Sequence, residues 1–326
     1  MRAVRFHEYG DESVLQLDEI DRPEPAAGHV LVRIHAASVN PVDTKLREGL
    51  LEPVAGVPHT AGVDLAGVVE SVGDGVTELD AGDRVYGTGF GWTDDGTYAE
   101  YAAVPADRLG TLPESVSFEH GAAAAMVYTT AWRALRDCAD LAVGDVCLVH
   151  GASGGVGHAG VQIANAAGAT VIGTARPGDS FDAVEADGGV PVDYRADDLV
   201  AAVREATDGR EVDVVLETHL GKHLDADLEL LSRGGRIAAI AQLEPYTLTP
   251  QTGLAAMIND TQLSFMSMMA SQDDHARLLN RIAPLLADGR LEPRIAATYP
   301  LAEAAEAQEH AMSSGVIGKV VIDTTA

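Results

Sequence analysis

The residues most able to do chemistry by type and spacing are Gly151-Ala152-Ser153-Gly154-Gly155-Val156-Gly157. Gly154 and Gly157 occupy the last two glycine positions of a G-x-G-x-x-G spacing whose first position is Ala152. Glycines at this spacing let the backbone turn tightly and approach a pyrophosphate closely. A helix that opens near Gly155 aims its free N–H groups and positive dipole end at the same anion. Ser153, Gly154, Gly155, Val156 and Gly157 are therefore the expected pyrophosphate contacts. Their setting strengthens the reading. Residues 145–150 (DVCLVH) form a short apolar run expected to be a buried parallel strand. His158 to Gly168 has a helical pattern, with Val161, Ile163, Ala164 and Ala167 on the apolar side, and Ala169 to Thr174 is a second buried strand. Strand, glycine turn, helix and strand is the context a dinucleotide site requires; the alternative is a glycine-rich turn in an α/β domain that binds nothing.

The end of the second strand bears on the cofactor. A site for NAD places Asp or Glu about 20 residues beyond the glycines, on the ribose 2′-hydroxyl. Here that strand ends Gly173-Thr174-Ala175-Arg176. No carboxylate opposes a 2′-phosphate, and a guanidinium pairs well with one. Thr174, Arg176 and Tyr194, just past the third strand, are expected around that phosphate, and the expected cofactor is NADP(H). The alternative is that Arg176 is a solvated loop residue.

Composition sets the class. The 326 residues are enough for two domains with their own cores, and 46% hydrophobic content marks a globular chain. No apolar run reaches the ~18 residues of a membrane span. No signal-peptide pattern opens the sequence, and Cys138 and Cys147 are the two cysteines, so no disulfide framework is indicated and a cytoplasmic location is expected. Charge is the outlier. Fifty acidic residues face 22 basic ones, for a net charge of −28, and only Lys45, Lys222 and Lys319 are lysines. The acids are spread through ordinary elements, not gathered in a tail. Such self-repulsion is tolerated where salt screens it, so molar intracellular salt, as in an extreme halophile, is the expected setting. The same charge argues against nucleic acid and anionic membranes as partners.

Met1–Phe6, Val14–Ile20 and His29–Val39 read as strands, and Asn40-Pro41 as the N-cap and first position of a short helix. Gly62–Gly73, residues 81–85 and Thr97–Val104 are further strands of an irregular barrel-like region. Ser117–Cys138 is helical. Strands at 145–150, 170–174, 190–194, 212–216, 235–241 and 262–267 alternate with helices, predicting a doubly wound parallel six-stranded sheet in an α/β chain. Gln272–Asp288 is expected to be a helix. Arg294–Pro300, a short helix over Leu301–Ser314 and Lys319–Asp323 close the chain.

The segments NPVDTK, GVDLAGVVESVG, AGDRV, GTYAEY, CLVHGASGGVG and GVIGKVVI stand in the order seen in medium-chain dehydrogenase/reductases. The chain most resembles their quinone oxidoreductase, or zeta-crystallin-like, branch over nearly its whole length. The resemblance implies a GroES-like β-rich catalytic domain (1–122, with a C-terminal return at 290–326) and a Rossmann NADP(H)-binding domain (123–289). It also implies a homodimer paired through the Rossmann sheets. Zinc-dependent members resemble the chain too, but carry a Cys at the start of the NPVD segment and G-H-E in the GVD segment. Here those positions are Asn40 and Gly62-Val63-Asp64, and two cysteines cannot make those members' four-Cys structural lobe, so neither zinc site is expected and no metal is assigned. His59 is expected in a loop. His219 and His223, at helical i, i+4 spacing without an evident third ligand, are expected at the surface.

Without a Lewis acid, the expected chemistry is hydride transfer to an acceptor that is already electrophilic: a quinone, or an activated alkene. Asn40 and Thr130 match the residues this family places at the nicotinamide; a helix cap and a packing hydroxyl are their plainer roles. Lys45 stands where the family usually has Tyr, and its charge suits a developing oxyanion. Lys319 and Lys222 are expected near the cofactor. Ala241 and Gln242, past the fifth strand, and Phe265, Met266 and Ser267, near the sixth, are expected to line the nicotinamide pocket. Two alternatives stand beside quinone reduction. One is an enoyl or 2-alkenal double-bond reductase of the same fold, and the other a non-catalytic NADPH-binding crystallin-like protein.

Overall fold

The structure, a computed structural model, describes residues 1–240 and 245–326, without the side chains of Gln272 and Asp273. Strands β1 (Arg2–Phe6), β2 (Leu15–Glu19) and β3 (His29–Ser38) precede helix α1 (Pro41–Arg47). Next come β4 (His59–Thr60), β5 (Asp64–Val72), β6 (Arg84–Thr88), β7 (Tyr101–Pro105) and β8 (Leu109–Thr111). Helix α2 (Phe118–Trp132) runs into a π-helical stretch at Arg133–Cys138. The alternating part is β9 (Val146–Val149), α3 (Gly155–Ala166), β10 (Thr170–Ala175), α4 (Asp179–Ala186), β11 (Val190–Asp193) and α5 (Leu199–Ala206). It continues with β12 (Val212–Glu217), α6 (Leu220–Leu230), β13 (Leu231–Ile240), α7 (Pro250–Ile258) and β14 (Gln262–Met266). Helix α8 (His275–Ala287), β15 (Ile295–Pro300), α9 (Ala304–Met312) and β16 (Lys319–Asp323) end the chain.

The chain is α/β, with a GroES-like region and a parallel six-stranded sheet. That sheet has the order β11-β10-β9-β12-β13-β14, with every pairing parallel. Its strands are continuous apolar runs because both faces are covered; β9 is buried at all four positions. Val146, Leu148, Ile172, Val215 and Ile237 form the core against the α6 stripe Leu220, Leu224 and Leu228, spaced four apart on one helix face. The β-rich region holds a seven-stranded sheet, β15-β16-β3-β5-β6-β8 with β7 also on β3, and a three-stranded sheet β2-β1-β4.

Two compact units result: Met1–Thr129 with Ser271–Ala326, and Thr130–Ala270. The sequence reading put the divisions at 122 and 289. The C-terminal difference comes from α8, whose face Leu278, Leu279, Ile282 and Leu286 is buried in the first unit. The Tyr86 hydroxyl donates to the Leu279 carbonyl at 2.6 Å, and a Cβ on Gly110 would lie 2.5 Å from that of Leu279. This helix starts at His275, not Gln272, after a 3₁₀ stretch.

Among the described residues no helix is long and apolar enough to cross a membrane. The buried carboxylates among them are Asp43, Asp64, Asp187, Glu217 and Asp227; the other described acids reach the surface to some degree.

Candidate active site and cofactor site

The glycine turn joins β9 to α3, at the point where the parallel sheet reverses its order between β9 and β12. Such a switch point is where open α/β sheets bind ligands. Gly151 adopts φ +65°, the left-handed conformation that starts the turn, so the missing glycine at Ala152 is made good one residue earlier. A Cβ on Gly157 would lie 2.1 Å from the Gly151 carbonyl oxygen, so the turn closes only on glycine. Gly154 is the N-cap of α3 with no side-chain cap, which leaves the first N–H groups of the helix without an intramolecular side-chain acceptor. A Cβ there would come only within 3.4 Å of the Gly151 oxygen, so the cradle in front of the helix is open. These features fit a bound pyrophosphate.

Next to this turn, Thr174 ends almost wholly buried in β10, and its hydroxyl accepts from the Gly151 N–H at 3.2 Å. Arg176 follows the strand and is exposed. The Tyr194 N–H donates to the Ala175 carbonyl at 3.3 Å, which brings Tyr194 beside Arg176. Sequence reasoning missed Arg195. Its guanidinium lies 5.7 Å over the Tyr194 ring and pairs with Asp193, adding a second cation at this strand end.

In the first unit, Asn40 sits at the N-cap of α1 as expected, in a capping box with Asp43, and its amide is also tied into a buried polar group. Nδ2 donates to Asp64 Oδ2 at 2.7 Å and to the Ser38 carbonyl at 3.3 Å, and Oδ1 accepts from Lys319 Nζ at 2.7 Å. Lys319 Nζ also donates to the Val39 carbonyl. The Asn40 N–H is taken by Asp43 Oδ2 at 2.8 Å, which Tyr98 also meets at 2.8 Å. All five side chains are buried. Burial pushes Asp43 up to about 7 and raises Asp64; burial also lowers Lys319, against the pull of those two carboxylates. The Lys319 ammonium is thus turned inward, onto Asn40 and the Val39 carbonyl.

Lys45, on α1, is half-buried and makes no side-chain hydrogen bond or ion pair with a described residue. Thr129 returns its hydroxyl to the Ala125 carbonyl, whereas the hydroxyl of Thr130 is not spent on any described residue. Met266 is buried at the end of β14, while Phe265 is exposed on that edge strand, tilted 5.7 Å from Tyr246. Ser267 is exposed, and its carbonyl accepts from Arg133. Ala241 and Gln242 lie outside the described residues.

With this geometry in view, residues 26–114 match the alcohol dehydrogenase GroES-like domain family and residues 185–322 the zinc-binding dehydrogenase family. The quinone oxidoreductase of Rattus norvegicus is 36% identical over 326 residues, 99% of this chain and 97% of that one. The Escherichia coli quinone oxidoreductase structure complexed with NADPH superposes with a TM-score of 0.88 at 28% identity, covering 99% of this chain and 100% of that one. An NAD-dependent alcohol dehydrogenase structure superposes with a TM-score of 0.89 at 30% identity, over 99% and 100% of the two chains. The chain belongs to the medium-chain dehydrogenase/reductases, in their quinone oxidoreductase branch. It is an oxidoreductase of that superfamily, built for a nicotinamide cofactor and a small-molecule acceptor.

Two expectations about histidines need correcting. His59 is not in a loop: it is buried in β4, with Nε2 at 2.9 Å from the Gly91 carbonyl. His223 is only partly at the surface. It stacks on the buried His150, ring centroids 4.1 Å apart, and Nδ1 lies 3.3 Å from Glu217 Oε2. Thr174 links this group to the glycine turn of this medium-chain reductase. Its oxygen accepts from the Gly151 N–H and lies 3.1 Å from His150 Nδ1, and His150 Nε2 lies 2.8 Å from Asp227 Oδ1. Burial pushes His150 down to about 4 and Asp227 up to about 7, so the imidazole is neutral. The signal was present in sequence as a histidine abutting the glycine turn, but its partners lie far along the chain.

Proposed function

We propose that this oxidoreductase is zinc-independent and transfers hydride from NADPH to quinones. The observation that carries the reading is the buried Asn40–Asp64–Lys319 group. Zinc-dependent relatives need a thiolate and an imidazole at the Asn40 and Val63 positions. Here a neutral amide and a carboxylate are tied to an internal ammonium, with hydrogen bonds of 2.7 Å on both sides of Asn40. A divalent ion at that place would meet a cation and no soft donor. An acceptor must then be electrophilic in its own right, which a quinone is.

The cofactor, when bound, supplies the hydride. The chain's own residues bind and orient it. Gly154, Gly155, Val156 and Gly157, with Ser153, present N–H groups to the pyrophosphate; Arg176, with Tyr194 and Thr174 beside it, meets the 2′-phosphate. Asn40, held rigid by Asp64 and Lys319, is assigned to the nicotinamide end, as a preorganised polar group suits it at low entropic cost; in the second unit the unspent Thr130 hydroxyl is a separate candidate for that role. Lys45 carries a charge without a partner among the described residues, which suits it to a developing oxyanion. This last feature also favours a second reading, reduction of a 2-alkenal through an enolate.

The deciding experiment follows NADPH and NADH oxidation in molar KCl, with an ortho-quinone and a 2-alkenal side by side. Rapid NADPH loss with the quinone is the expected result. Loss with the alkenal alone would replace it by the second reading, and NADPH binding without turnover of either acceptor would favour a non-catalytic role. Substituting Arg176→Ala is expected to raise the KM for NADPH by about 10-fold or more and leave that for NADH unchanged, since one lost charge-assisted hydrogen bond is worth roughly 1.5 kcal/mol. Equal effects on both cofactors would remove Arg176 from the phosphate site.

The reading extends to setting and assembly. With its acids at the surface and a charge of −28, the protein works in molar salt. Raising KCl from 0.1 to about 3 M is expected to raise the melting temperature by about 10 °C or more, because each kcal/mol of relieved repulsion moves it by roughly 2–4 °C. A melting temperature flat in KCl would exclude the halophilic reading. The open edge of β14 carries exposed Phe265, with exposed Leu254, Met257 and Ile258 on neighbouring α7. An unpaired apolar edge of this kind suits sheet-to-sheet pairing in a homodimer.

A further inference from the structure

We propose that His150, Glu217 and His223 form a binding site for a divalent transition ion of the zinc class. The site lies in the second unit, apart from the positions at which relatives bind zinc. Its donors come from three places that the fold draws together. His150 follows β9, Glu217 ends the adjacent strand β12, and His223 lies on α6.

Geometry carries the assignment. In a tetrahedral site with metal–ligand bonds of about 2.0–2.2 Å, donor atoms stand roughly 3.3–3.6 Å apart. Glu217 Oε2 is 3.6 Å from His150 Nε2 and 3.3 Å from His223 Nδ1. All three donor atoms lie within 4.8 Å of one another. The two rings are stacked with 13° between their planes, so a bound ion turns His223 out of the stack. His223 is able to move because it is the member with an exposed edge, its side chain 15% accessible.

An independent observation points the same way. Asp227 is fully buried, and its Oδ2 has no hydrogen-bond partner. Glu217 is equally buried, and no lysine or arginine pairs with either carboxylate among the described residues. With His150 neutral, Glu217 has only His223 as an ion partner for its charge among the described residues, and two neighbouring buried carboxyl groups are costly to ionise, a cost a divalent ion beside them would lower. The outer shell is in place as well. When Nε2 of His150 binds the ion, the neutral ring carries its one proton on Nδ1, which donates to Thr174 Oγ1, 3.1 Å away and already bonded to the Gly151 N–H. Three protein donors leave the fourth tetrahedral position to water, and the ion would sit behind the glycine turn.

The test uses the full-length protein, stripped with a chelator and titrated in molar KCl with Co²⁺ followed by absorption and with Zn²⁺ followed by calorimetry. One ion per chain and the intense visible bands of tetrahedral cobalt are expected. His223→Asn should weaken Zn²⁺ binding by more than about 100-fold, beyond the 10–100-fold typical of an outer-shell partner. His219→Asn, one turn before it and not a donor, should leave binding within a few-fold. No stoichiometric binding, the weak spectrum of octahedral cobalt, or affinity retained in His223→Asn would each overturn the proposal. Because His223 lies at the accessible edge of the group, a melting curve on each stripped variant separates loss of the site from loss of the fold.

Discussion

Replacing Lys319 by methionine is expected to remove about 3–5 kcal/mol of folding stability, the usual cost of deleting one partner of a buried ion group. The ammonium is the only lysine or arginine charge bonded within the buried Asn40–Asp43–Asp64 cluster among the described residues, and it holds Asn40 Oδ1 at 2.7 Å and the Val39 carbonyl. Without it, two buried carboxylates face each other across Asn40, and the amide loses the contact that fixes its orientation. Urea melts in constant molar KCl measure the loss. Adding Asp64→Asn to Lys319→Met should restore a substantial part of it, because the second change removes the stranded charge. A loss below about 1 kcal/mol in the single variant would show that the ammonium is not the cluster's counter-ion. The same variants report on catalysis. If Lys319 acts through Asn40, Lys319→Met lowers kcat, whereas a direct contact with cofactor phosphate would raise the KM for NADPH.

The second large effect separates two glycines that look alike in the sequence. Gly157→Ala puts a methyl group 2.1 Å from the Gly151 oxygen and 2.6 Å from its carbonyl carbon. Backbone atoms of the turn cannot yield cheaply, so the substitution is expected to cost about 3 kcal/mol or more. Gly154 has an ordinary φ of −81° and room for a methyl. There, Gly154→Ala should change stability by less than about 1 kcal/mol, since a slightly poorer N-cap is offset by a stiffer unfolded chain. The new methyl would nevertheless enter the space in front of the α3 N-terminus. A fall in NADPH affinity of about 10-fold or more, or 1.4 kcal/mol, is therefore expected with the fold intact. Fluorescence titration with NADPH beside a urea melt measures both quantities. Full NADPH affinity in Gly154→Ala would move the pyrophosphate away from this turn.

The glycine turn was legible because every feature of it is local. Residues 145–174 hold strand, turn, helix and strand within one stretch, and the periods of two and 3.6 residues show in the order of apolar side chains. The absence of a thiolate at Asn40 was legible for the same reason, since a ligand needs a residue type and the type is read directly. The boundary near α8 was not. That helix has a good amphipathic stripe, but a stripe does not say which core it covers, and only Gly110 and Tyr86, 169 and 193 residues before their α8 neighbours, decide it.

Buried charge was the least legible feature. Asn40 was read as a cap and cofactor contact and Lys319 as a cofactor residue; the fold joins them across 279 residues of sequence. His219 and His223 were read as a surface pair, yet His223 is completed by His150 and Glu217, and His150 by Asp227 at a separation of 77 residues. The sequence by itself determined the α/β class, the nucleotide turn and the residue types available for chemistry, because these follow from local geometry and composition. The tertiary structure alone decided which buried charges balance each other and which donors converge, because those depend on distances between strands that only the folded sheets bring side by side.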